Sequence, residues 1–162
     1  MKKQVIVLLL AALIGVGRLT AQEKDSMATL VPVIVTSHTV VTKEVDKAFK
    51  KAFPAAVNQQ WYLLGKNYLA QFIQNDIKHQ ALFATKGFLK YVISYGTETH
   101  LPDGIRSKIK GDYEAYKITR VANVKEAGRN IWVTNLESLN HFVMVRAEDD
   151  KMEEVGKYNK SL

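Results

Sequence analysis

The stretch HQALFATKGFLKYVIS, His79–Ser94, decides how this chain folds. Two apolar runs flank Thr85-Lys86-Gly87, and their alternation has the period of two that marks strands, not the 3.6 of a helix. A three-residue hairpin loop wants left-handed backbone at its last position, where only glycine is comfortable. Gly87 is therefore read as structural: it shapes the backbone and binds nothing. This register sets Leu89 opposite Phe83, Tyr91 opposite Ala81 and Ile93 opposite His79. A slip of one residue would turn Lys90 inward, so the pattern checks itself.

Working upstream, a two-residue turn at Asn75-Asp76 sets Phe72 opposite His79, Ala70 opposite Ala81 and Tyr68 opposite Phe83. A strand over 58–64 carries Trp61, also read as structural, and turns back at Gly65-Lys66. Before it lies a helix. Thr42 is its N-cap, and Val45, Ala48, Phe49, Ala52 and Phe53 follow at i, i+3, i+4, i+7 and i+8, which places them on one face. Glu44, Asp46, Lys47, Lys50 and Lys51 line the rest of the helix, a solvated face, and Pro54 stops it. The apolar face of the meander is expected beneath this helix.

Downstream the order repeats. Leu101-Pro102 opens a short helix, with Pro102 in its first turn, Ile105 and Ile109 facing inward, and Gly111 closing it. Strands are expected over 116–124, 130–136 and 141–147, with a last extended piece near 152–158. An offset of 60 aligns Phe49 with Ile109 and Trp61 with Val121. An offset of 63 then aligns Tyr68 with Ile131, the difference being absorbed in the turn around Lys125–Arg129. The expected class is α+β: two tandem repeats of a helix packed on an antiparallel β-meander, over 42–96 and 97–162.

In the second repeat IWV (Ile131–Val133) and FVMV (Phe142–Val145) are apolar on both sides of the strand, so something must cover each face. Either Ile131, Val133, Phe142 and Met144 face the helix while Trp132, Val143 and Val145 face out, or the reverse. If the second set faces out, Trp132, with Val143 and Val145, is the candidate partner-binding patch, because tryptophan anchors dominate interface energies.

The first residues carry an address. Lys2 and Lys3 precede an apolar run from Val5 to Val16, and a small residue, Ala21, follows Arg18-Leu19-Thr20. This is a secretory signal peptide over 1–21, cut after Ala21. The run falls short of the ~20 apolar residues that a spanning helix needs, so no membrane span is expected to remain. Residues 22–41 then form a polar tether and an extended arm, TLVPVIVTSHTVV (Thr29–Val41). Pro32 makes it an edge strand or a surface arm. It is expected to be covered by its own sheet, or by a second copy in a homodimer through the arm. The periplasm of a Gram-negative-type bacterium is the expected compartment, with secretion the alternative.

The chain has no cysteine, so neither a lipid-bearing cysteine nor disulfides hold it, and stability must come from a packed core. Its 23 basic and 16 acidic residues give +7. Lys2, Lys3 and Arg18 leave with the leader, so 20 face 16, a net +4. That is a mildly basic surface and no nucleic-acid footprint.

The Phe-Pro that ends the first helix, Trp61 in the next strand, and QFIQNDIKHQALFATKGFLKYVISYGTETHLPDGIRSKI (Gln71–Ile109) together resemble the exported PepSY-like family, related in fold to the β-lactamase inhibitor protein. The resemblance spans roughly 42–158. It departs at Asn75-Asp76, where Asn-Gly is usual, at Asp150, which replaces the second turn glycine, and in the extra arm. It implies a non-enzymatic module whose sheet surface contacts other molecules, and it transfers no functional residues.

No motif for catalysis appears. His38, His79, His100 and His141 have no carboxylate or second histidine at ligand spacing. No nucleophile elbow or phosphate loop is present, and Glu148-Asp149-Asp150 reads as a solvated turn. No metal and no cofactor is expected. The function read from the sequence is an exported, non-catalytic binding module for a protein or peptide, one form of which is restraint of an envelope hydrolase. The rival is a carrier of a small hydrophobic ligand held between helix and sheet, in a cavity lined by Phe49, Phe53 and Phe72.

Overall fold

The computed structural model describes residues 35–37 and 39–160, and of 35–37 the backbone. The elements run β1 (Val35–Ser37), α1 (Lys43–Ala52), β2 (Val57–Leu64), β3 (Asn67–Gln74), β4 (Ile77–Ala84) and β5 (Leu89–Gly96). A 3-10 turn (Glu98–His100) leads into α2 (Asp103–Asp112), then β6 (Lys117–Glu126), β7 (Arg129–Glu137), β8 (His141–Glu148) and β9 (Lys151–Asn159). The nine strands pair in chain order into one antiparallel sheet, β5 joining β6 directly. Part of the N-terminal arm is thus the edge strand β1, paired with β2. The expected signal peptide over 1–21, residues 22–34 with Pro32, and His38 lie outside the described residues.

Helix α1 forms as its sequence dictates. The Thr42 hydroxyl accepts from the Val45 amide at 3.3 Å, acids sit in the first turn and lysines in the last, each where the helix dipole favours it. Val45 and Phe49 are buried against Ala70, Phe72, Ala81 and Phe83, with Trp61 packed on the rim; Ala52, in the expected stripe, is exposed. Helix α2 has the weaker start. Pro102 takes the N-cap position, where it has no side chain to cap with, and Gly111 lies inside the last turn, so that Tyr113 is the C-cap. Its Ile109 closes a second cluster with Leu101, Ile118, Val121, Leu136, Val143 and Val145.

Cross-strand pairing puts both clusters on the same sheet face. The row Phe72–His79–Ser94–Asn123–Trp132–Ala147 runs from beneath α1 to beneath α2. The β3–β4 register has Phe72 opposite His79, Ala70 opposite Ala81 and Tyr68 opposite Phe83, and Asn75 and Asp76 both adopt positive φ in the turn, as a type I′ turn demands.

The β4–β5 register corrects the sequence reading. Leu89 does face Phe83, but the pairing then shifts: Tyr91 lies opposite Leu82, Val92 opposite Ala81 and Ser94 opposite His79. Lys90 is the extra residue of a β-bulge, and each bulge reverses the side on which later residues point. Val92 therefore joins the α1 core, while Tyr91 and Ile93 turn to the other face, and Leu89 is 43% exposed at the hairpin tip.

The second half holds two more corrections. Ala127-Gly128 is a tight two-residue turn, so the extra residues lengthen β6 and β7 instead of forming a loop. Tyr68 lies on the helix side and Ile131 on the other, so the offset of 63 fails; an offset of 64, which carries Phe72 to Leu136 and Ala81 to Val145, keeps each residue on its face. Val143 and Val145 are 2% and 0% exposed beneath α2, and Trp132 is half-buried against the same cluster. The Trp132, Val143 and Val145 patch is not an outward surface. The reverse alternative holds, because α2 must cover the face on which Ile105 and Ile109 land.

Candidate functional site: the sheet face that neither helix covers

With both helices on one side, the remaining surface is the opposite face of the sheet. Its central rows are Tyr62–Leu69–Leu82–Tyr91 and Gln60–Gln71–Gln80–Ile93–Val124–Ile131. Beside them run Tyr95–Ala122–Val133–Arg146 and, toward the β9 edge, Phe142 opposite Tyr158. Leu82 and Ile131 are buried in this face, Tyr62, Tyr91, Ile93, Tyr95 and Val133 are half-buried, and Phe142, Met144 and Tyr158 are exposed.

The polar groups here are held in place. The Tyr62 hydroxyl donates to Gln60 Oε1 at 2.9 Å and the Tyr95 hydroxyl to Gln80 Oε1 at 3.0 Å. At one end Arg129 makes a forked pair with Glu148, Nε to Oε1 at 2.6 Å and Nη2 to Oε2 at 2.7 Å, and Arg146 bonds the same carboxylate. The Arg129 hydrogen bond, more than any other contact, holds the Glu148 carboxyl below its usual range. Glu148, first of the acidic triplet, is thus engaged by two guanidinium groups, which leaves it poorly placed for a cation. A shallow groove between β6 and β9 is lined by Arg120, Asn135, Phe142, Met144 and Tyr158. Tyrosine and arginine among apolar side chains, with satisfied amides between them, is the chemistry of a protein-recognition surface. Strict alternation puts Tyr91 beneath the helix, opposite Ala81; the signal for the opposite assignment is the triplet Tyr91, Ile93, Tyr95 at period two, whose side is set by the bulge.

His79 and His100 are tied to neighbouring groups. His79 Nδ1 lies 2.9 Å from Ser94 Oγ and Nε2 3.2 Å from the Gln74 carbonyl, and the ring stacks on Phe72. A neutral ring with its proton on Nε2 satisfies both neighbours. Thr97 N donates to His100 Nδ1 at 3.0 Å, closing the 3-10 turn. Among the described residues no three His, Cys, Asp or Glu side chains gather as a metal site.

Burial lowers the His79 pKa from 6.5, an effect larger than the opposing hydrogen bond to Gln74. The unfolded chain then binds more protons than the folded one just below pH 6.5, so stability is full above that value and falls as the pH drops through the folded pKa. Urea unfolding between about pH 7.5 and pH 5 is expected to show this loss, and His79→Gln to flatten it. An unchanged slope in the variant would assign the acid sensitivity elsewhere.

Of the residues singled out from sequence, Trp61 packs on Phe49 with ring centroids 5.1 Å apart. Pro102 sits at the α2 N-cap, and Gly87 has φ +81° with its Cα against the α1 backbone. None of these reaches the open face.

No family model matches the chain, and no curated relative matches it. Its fold is nevertheless shared. A protein of the DUF2874 family from Bacteroides uniformis superposes with a TM-score of 0.61 at 17% identity, covering 74% of this chain and 90% of that one. A BLIP-like protein from Bacteroides fragilis gives 0.62 at 14% identity, over 73% and 89% of the two chains. A Bacteroides eggerthii protein inferred to be periplasmic gives 0.62 at 15% identity, over 75% and 90%. The chain is an α+β protein that shares its fold with these proteins, the BLIP-like protein among them. Among the described residues no helix is long and apolar enough to cross a membrane.

Proposed function

We propose that this is an exported, non-catalytic recognition module that grips a protein or peptide with the sheet face its helices leave open. The carrying observation is the one-sidedness of the fold: α1 and α2 pack on the same face, while the other presents Tyr62, Tyr91, Tyr95, Phe142 and Tyr158 among ordered Gln and Arg groups. The BLIP-like and periplasmic neighbours support a binding role in the cell envelope, and restraint of an envelope hydrolase is the form of it suggested by the BLIP-like fold. The two helix–meander units read as a tandem repeat, with Phe49 and Ile109 as equivalent core anchors, so that duplication widens one continuous face.

The ligand-carrier reading meets an obstacle. Phe49, Phe53 and Phe72 pack on one another with centroids 4.6 to 5.5 Å apart, filling the place a ligand would take.

The double variant Tyr91→Ala/Tyr95→Ala is expected to remain folded, with a lowered unfolding midpoint because both rings are half-buried, and to weaken capture of an envelope partner at least tenfold, two aromatic anchors being worth about 2 kcal/mol or more at an interface. Pull-down from an envelope extract, quantified by mass spectrometry, reads the result. Undiminished capture would remove the face from the account.

A further inference from the structure

The corner where α1 begins and the β4–β5 hairpin ends carries a second feature. Phe88 is 71% exposed and Leu89 43% exposed at the hairpin tip, and Val40, just before the helix, is 92% exposed. These are neighbours in space: the Thr42 hydroxyl donates to the Thr85 carbonyl at 3.2 Å, and a Cβ on Gly87 would come within 2.7 Å of the Glu44 carbonyl oxygen. Around the apolar tip stand Lys43, Lys47, Lys86 and Lys90, all exposed and, among the described residues, in no ion pair. The carboxylates on this corner are Glu44 and Glu126, the second beside Lys125.

We infer that this prong docks the protein on the surface of an anionic bilayer. An aromatic and an aliphatic side chain projecting from a tight hairpin, ringed by cations, match the two layers of such a surface: phosphate headgroups for the lysines, the acyl boundary for Phe88 and Leu89. A protruding tip suits a lipid boundary better than it suits a protein, whose apolar anchors are received in pockets. The tip is braced by the Thr42–Thr85 bond and by Gly87 against α1, so insertion orders little that is not already ordered.

Cosedimentation with vesicles tests this. The full chain is expected to pellet with equal parts phosphatidylcholine and phosphatidylglycerol, to remain in solution with phosphatidylcholine alone, and to release at high salt. Lys86→Gln/Lys90→Gln is expected to weaken binding about twenty-five-fold, about five-fold per lysine. Phe88→Ser is expected to weaken it about tenfold. All of these positions are exposed, so each variant should unfold at the wild-type urea midpoint. Glycerol phosphate in solution is expected not to compete. The inference is overturned if the anionic vesicles leave the wild type in solution, if neutral vesicles bind equally, if glycerol phosphate displaces the protein, or if the folded variants bind like wild type.

Discussion

Replacing Gly87 with alanine is expected to destabilise the protein by about 3 kcal/mol, a large share of the 5–15 kcal/mol that holds a typical domain folded. Two effects add. The backbone at Gly87 has φ +81°, where a side chain costs about 1 kcal/mol. The new Cβ would also lie 2.7 Å from the Glu44 carbonyl oxygen and 3.2 Å from its carbon. Both are backbone atoms of α1, which cannot swing aside as a side chain would, so helix and hairpin must separate at a cost of about 2 kcal/mol. Gly128 supplies the control. It has the same φ, +81°, with nothing within 4 Å of where a Cβ would stand, so Gly128→Ala should cost only the backbone part, about 1 kcal/mol. Urea unfolding of the two variants separates the terms, and equal losses would show that the hairpin does not press on α1.

Phe49→Ala is expected to cost about 4 kcal/mol. The ring meets Trp61 and Phe72 at 5.1 Å, Phe53 at 5.5 Å and Phe83 at 6.2 Å. Truncation thus removes the burial of one side chain and several edge-to-face contacts, and it leaves a hole whose walls belong to different elements. Ile109→Ala, the matching loss beneath α2, should cost about 3 kcal/mol, since its neighbours are mainly aliphatic. The comparison bears on function. A core built to receive a hydrophobic ligand would tolerate truncation of its wall, whereas a filled core would not. A loss below about 1 kcal/mol at Phe49 would therefore revive the carrier reading.

Much of this fold is legible from residue spacing. Helix α1 follows from Thr42, Val45 and Phe49, and the β3–β4 register follows from the alternation of Tyr68, Ala70 and Phe72 across the Asn75-Asp76 turn. The misreading of the β4–β5 hairpin comes from a bulge. Bulges at Lys90, at Thr119 and at Val155 each insert one residue and reverse the face of everything beyond, and a bulge has no periodic signature. Unbroken alternation therefore puts Tyr91 and Ile93 beneath the helix, the face opposite to the one they occupy. Periodicity leaves two alternatives for Trp132, Val143 and Val145. Their strands are apolar on both sides, so periodicity carries no sign, and only the position of α2 selects the buried set. The candidate site was the least legible part, since it consists of the residues left over once both helices have chosen a face.

Hydroxyl-radical footprinting of the protein, alone and bound to whatever protein it captures from the envelope extract, tests the central claim most directly. The account predicts protection at Tyr62, Tyr91, Tyr95, Phe142 and Tyr158, with the outer surfaces of α1 and α2 reacting as before. Protection confined to the helices, with those aromatic side chains fully reactive, would contradict it.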